Sequence, residues 1–136
     1  MQLAIIDPDP VSSYTLSFAA QRRGHQVLCV SGAQRLSTNL PFEPSVVVVA
    51  LDRVDGAAVA SVECVKRALP DSAIIVTAEG KHMAATSLLE HGASDFQRTP
   101  YNAHELVLKA EKWHSILAKA VSCESAIRAA DLEVDL

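Results

Sequence analysis

Short apolar runs alternate with stretches of helical spacing along this chain. The run 2-QLAII-6 ends at Asp7 and Pro8 and predicts a first strand. Over 11–23, Val11, Tyr14, Leu16, Phe18 and Ala19 recur at roughly helical spacing, and Gly24 stops the helix. The β-rich 26-QVLCV-30 is a second strand, and a short helix is expected at about 33–40, closed by Pro41 and Pro44. The third strand is the valine run in 46-VVVVALDRVDG-56, six apolar residues that lead into Asp52. Residues 57–69 read as a helix ended by Pro70, and 73-AIIVT-77 as a fourth strand. A helix over about 82–91 with Gly92 as its cap precedes a short strand, 95-DFQR-98. Asn102 is placed to cap a long helix over about 103–121, with Glu105 three residues on.

This alternation is a (βα)5 pattern. Near-continuous apolar strands are those of a parallel sheet covered on both faces. The expected architecture is therefore an α/β three-layer, doubly wound, flavodoxin-like sheet in strand order 2-1-3-4-5. The tail breaks the pattern, because 131-DLEVDL-136 alternates acid and apolar residues as a half-exposed strand does.

Composition narrows the function classes. With 136 residues, 49% of them apolar and 21% charged, the chain suits one globular domain. A formal net charge of −4 gives it no electrostatic grip of its own on nucleic acid. Cys29, Cys64 and Cys123 are odd in number and form no CxxC pair, which implies reduced thiols and a cytoplasmic setting. The N-terminus lacks a basic n-region, so it is not a signal peptide, and no apolar run nears the ~20 residues of a membrane span. The five histidines, His25, His82, His91, His104 and His114, form no metal-binding pattern. A Gly-rich phosphate loop and a nucleophile–base pair are both absent, so a small-molecule enzyme is not expected.

Four stretches then carry a family likeness: the acid after AII in strand one, the valine strand with its following 55-DG-56, 74-IIVTA-78, and 92-GASDFQRTPYNAHEL-106. Together they resemble the receiver domain of bacterial two-component response regulators over residues 2 to about 121. The last stretch is similar to that family's GADDYxxKPFxxxEL block and is the most specific of the four. The tail resembles the first strand of the winged-helix effector domain of OmpR/PhoB-like regulators. The resemblance implies a receiver at 1–121, then at 122–136 a linker and the start of an effector domain through which DNA would be bound.

A receiver accepts a phosphoryl group on an aspartate ending its third strand. Acids after strand one hold Mg²⁺, and a hydroxyl after strand four and a lysine after strand five meet the phosphoryl oxygens. The chemistry needs each part, since the developing negative charge must be neutralised. In this chain Asp7 matches the first acid, but Pro8 stands at the second, with Asp9 one place late. Thr77 matches the switch hydroxyl and Phe96 the switch aromatic, while Thr99 occupies the lysine position before Pro100. Aligned from Pro44, Ala50 falls at the acceptor position; the other reading makes Asp52 the acceptor, with Mg²⁺ and a sensor kinase. Asp7 and Asp9 are residual metal candidates, and the alternative has Asp9 capping the first helix ahead of Pro10. The expectation is an atypical receiver with no cofactor, independent of phosphorylation, whose pocket is left to a small ligand or partner protein.

The resemblance to OmpR/PhoB-like regulators implies a homodimer through the face formed by segments 82–91, 95–98 and 103–121. Leu88, Leu89 and Leu106 are expected at its apolar centre, with Asp95 and Lys109 as the charged pair. The plainer reading is a solvated surface with Glu105 and Lys109 paired along the helix. A stand-alone protein-interaction module is the remaining alternative.

Overall fold

A computed structural model of the chain describes residues 1–36, 40–51, 56–79 and 82–134, with side chains described outside 82–85 and 122–134. The strands are β1 (Gln2–Ile6), β2 (Gln26–Val30), β3 (Val46–Ala50), β4 (Ala73–Ala78) and β5 (Asp95–Arg98). The helices are α1 (Pro10–Arg22), α2 (Gly56–Ala68), α3 (His82–Glu90) and α4 (Ala103–Val134), with one 3-10 turn at Ala33–Arg35. All strands pair in parallel, in the order β2-β1-β3-β4-β5.

Successive side chains on a strand face opposite sides of the sheet, and here both sides are apolar. Ala4, Ile6, Val47, Val49, Ile74 and Val76 pack with Val62 and Val65 of α2 and Leu88 of α3. Leu3, Ile5, Val46, Val48 and Ile75 pack with Leu16 and Ala20 of α1 and Leu106, Val107 and Ala110 of α4. The valine run thus divides itself between two cores, which is why it shows no polar alternation.

Local signals close the helices as the residues predict. The Asp9 side chain accepts from Val11 N–H, with Pro10 in the first turn of α1. Gly24, at φ 84°, ends α1 in a left-handed turn that an L side chain rarely adopts. There Gly24 N–H donates to Gln21 O (2.9 Å) and His25 N–H to Ala20 O (3.2 Å). Asn102 Oδ1 accepts from Glu105 N–H at 3.1 Å, the expected cap of α4.

Three expectations are corrected. The short helix at about 33–40 is a single 3-10 turn, Ala33–Arg35; residues 37–39 lie outside the described residues. Ala33, Leu36 and Leu40 pack on the first core, so the segment is placed by three apolar contacts rather than by helix propensity. The strand expected at 131–136 is helical as far as Val134. No glycine or proline interrupts residues 103–136, and a helix satisfies its own backbone where a lone strand would need a partner. Leu88 and Leu106 are buried, at 0% and 1% exposure, and cannot form an intermolecular centre. They lie on the stripes of α3 and α4 that face the sheet. Leu89 is exposed, as are Leu108 and Ile116 of α4.

Lys109 does not pair with Glu105. Its Nζ donates to Gln97 Oε1 at 2.8 Å and stands 3.9 Å from Asp95 Oδ2. Trp113 packs partly buried on the second core, and its indole N–H donates to Asp95 Oδ2 at 3.0 Å.

Candidate functional site

The carboxyl ends of the parallel strands open into a cleft, the place where doubly wound sheets bind ligands. The register brings the candidate residues together there. Ile6 pairs with Val49, so Asp7 follows beside the end of β3, where Ala50 pairs with Thr77 of β4. Leu51 N–H then donates to Thr77 O at 2.8 Å, which holds the chain against β4 one residue past the strand. Asp7, Asp9, Ala50, Thr77 and Thr99 all line one cavity of about 340 Å³. Pro8 sits between the two acids and is exposed. Asp52 lies outside the described residues. Phe96 is not among the lining residues; it packs on the first core beside β4.

Each acid is engaged in the local turn. Asp7 is nearly buried, and its Oδ1 accepts from Asp9 N–H at 2.8 Å. Asp9 accepts from Ser12 Oγ (2.9 Å) and from Val11 N–H (3.1 Å). The Ser12 hydroxyl, then the Val11 N–H, hold the Asp9 carboxyl below the usual carboxylate range. Thr77 is 1% exposed, and its hydroxyl has no hydrogen-bond partner, alone among the buried side-chain polar atoms described. Such a group costs stability unless something meets it.

Three further residues shape the cleft: Ser12, Glu79 and Tyr101. Burial raises the Tyr101 hydroxyl above its ordinary value, and the nearby Asp7 and Asp9 charges raise it further. An adjoining cavity of about 390 Å³ extends the cleft along α1 over Val11, Thr15 and Pro100. Glu79 directly follows the quoted IIVTA and Tyr101 directly follows Pro100 within the 92–106 stretch, so their place in the chain could have flagged them. Among the described lining residues the charged ones are Asp7, Asp9 and Glu79, with no lysine or arginine.

Mg²⁺ takes oxygen ligands, and the described carboxylates that line the cleft are Asp7, Asp9 and Glu79. Ala50 offers no side-chain oxygen, and both Asp9 oxygens are taken by the start of α1. Among the described residues no three His, Cys, Asp or Glu side chains are grouped to hold a metal ion.

No family model and no curated protein matches the chain. Solved structures do. A response regulator from Thermotoga maritima superposes with a TM-score of 0.73 at 17% identity, over 84% of this chain and 97% of that one. The chain has the receiver fold. NtrX from Brucella abortus matches with a TM-score of 0.78 at 19% identity over 92% of this chain, which spans 29% of NtrX. An orphan response regulator of Helicobacter pylori matches at 0.71 and 18% identity, over 84% and 96% of the two chains. On this receiver fold, Ala50 ends the central strand and Thr99 precedes a cis Pro100.

Proposed function

We propose that the chain is a signalling receiver whose phosphoryl switch has been lost and which acts by dimerising. The observation that carries this reading is Ala50 at the end of β3, paired with Thr77 and lining the cleft with Asp7. A methyl group there can neither take a phosphoryl group nor ligate a metal. Thr99 supplies no positive charge to the cleft, and Pro8 no carboxylate. Each lost charge contact in phosphoryl transfer commonly costs orders of magnitude in rate. The output is transcriptional, through a DNA-binding effector domain outside this chain, and the protein works in the cytoplasm. No helix among the described residues is long and apolar enough to cross a membrane. The likeness to NtrX, a longer protein, supports a receiver joined to further domains, and an orphan regulator among the similar structures supports control without a paired kinase.

Intact mass after incubation with acetyl phosphate and Mg²⁺, beside an Asp52→Asn control, tests this. The expected result is no phosphoryl adduct. An adduct that disappears in the control would make Asp52 the acceptor and restore an ordinary phosphorylated switch.

A further inference from the structure

We propose that α4 continues past the domain as one strand of a parallel two-stranded coiled coil, and that its partner is a second copy of this chain. The inference rests on the reading that the chain acts as a dimer, and it assigns the contact to a different surface. α4 runs unbroken for 32 residues, Ala103–Val134. Trp113 and Leu117 are its last contacts with the second core. At that level His114 Nδ1 lies 2.9 Å from Ser45 Oγ, just before β3 begins. Val121 is already 64% exposed. Residues 122–134 carry the helix roughly 20 Å further, at about 1.5 Å per residue. Helical propensity alone holds such an extension weakly, and packing one apolar face is what usually secures it.

The sequence provides that face. From Trp113 onward, apolar residues stand at 116, 120, 123, 127, 130 and 134, in steps of three and four. That is the a/d repeat of a coiled coil over residues 116–134, between two and three heptads. Ala120, Ile127 and Val134 take the a positions; Ile116, Cys123 and Ala130 take d. The flanking charges favour a parallel pair: Lys119 falls at g and Glu124 at the following e, positions that face each other between parallel strands, twice by symmetry. The seam begins at Ile116, a side chain 42% exposed on the domain surface. Ile116 also borders a groove of about 370 Å³ with Leu108, Lys109 and Asp95, so the seam is continuous with the domain's own β5–α4 face. The small residues Ala120, Cys123 and Ala130 bury little area, which makes this a concentration-dependent dimer.

The test uses the full chain with Cys29→Ser and Cys64→Ser, leaving Cys123 as the remaining thiol. In a parallel, in-register pair the two Cys123 side chains face each other. Copper phenanthroline with oxygen, taking two electrons as the thiols release two protons, should then link them into a covalent dimer that Cys123→Ser abolishes. Sedimentation should show a dimer weakened at least tenfold by Ile127→Asp, with the thermal transition of the domain unchanged. A dimer that keeps its affinity in Ile127→Asp overturns the coiled coil; if Lys109→Glu dissociates it, the dimer reading stands on the domain face. A monomer at every concentration overturns both.

Discussion

The two ends of the sheet are built differently. At the amino ends of the strands, polar groups find partners across the fold. Arg23 Nη2 donates to Glu111 Oε1 (2.7 Å), His25 Nε2 to Glu111 Oε2 (2.9 Å), and the Met1 ammonium to His25 Nδ1 (2.8 Å). The buried Ser72 hydroxyl donates to Pro44 O. At the carboxyl ends, Asp7 and Asp9 each accept a hydrogen bond from the turn they stand in, Ala50 contributes no side-chain polar group, and the Thr77 hydroxyl is buried without a hydrogen-bond partner. One end ties α1, α4 and the first strands together; the other is left open as a cleft. The Thr77 hydroxyl is the one buried side-chain polar atom left unsatisfied among the described residues, and it stands at the open end.

The largest test of this contrast is at the closed end. Ser72→Ala should lower stability by about 1–3 kcal/mol in urea unfolding, because the Pro44 carbonyl then stays buried without that donor. An unchanged midpoint would mean that the closed end is not held by its side-chain bonds. At the open end the sign reverses. Thr77→Val keeps the shape and removes the orphan hydroxyl, and should raise stability by about 1 kcal/mol. A loss instead would show that the hydroxyl is already met in the resting protein.

The smallest effect concerns acid. The Arg23 guanidinium, then the His25 ring, hold the Glu111 carboxyl at about 2, against an ordinary 4.5. The folded-state value is depressed, so the contribution is present above pH 4.5 and lost as pH falls from 4.5 through 2. Glu111→Gln should therefore be slightly less stable than the parent at neutral pH, and the two should converge near pH 2. Glu111 is partly exposed, so solvent screening keeps the difference small. Parallel curves across that range would remove Glu111 from the network.

Much of the fold was legible because its signals are local. Four apolar runs and the short 95-DFQR-98 became five strands with bounds within one residue, Asp9 and Asn102 capped the helices that follow them, and Gly24 ended α1. The candidate site was legible in part. Asp7, Asp9, Ala50, Thr77 and Thr99 meet in one cleft, whereas Glu79 and Tyr101 join it without having been singled out, and Phe96 packs elsewhere. The reading went astray where a residue's setting is not local. Periodicity marks Leu88 and Leu106 as apolar, but an apolar side chain serves a core and an interface equally well, and only packing assigns these two to the core. The 131-DLEVDL-136 stretch alternates like a strand, yet a strand exists only with a neighbour, and the helix before it continues through Val134 instead.

By itself, then, the sequence determined the order and type of the strands and the main helices, the parallel two-faced sheet, and the side chains carried at positions 8, 50 and 99. These follow from side-chain period, from caps and turns, and from which atoms a side chain does or does not carry. The tertiary structure alone decided which leucines face inward, that Lys109 turns to Gln97 and not to Glu105, and that Ala50 stands beside Thr77 at the floor of the cleft. Those are matters of register and packing between segments distant in the chain, and no stretch of sequence read alone contains both partners.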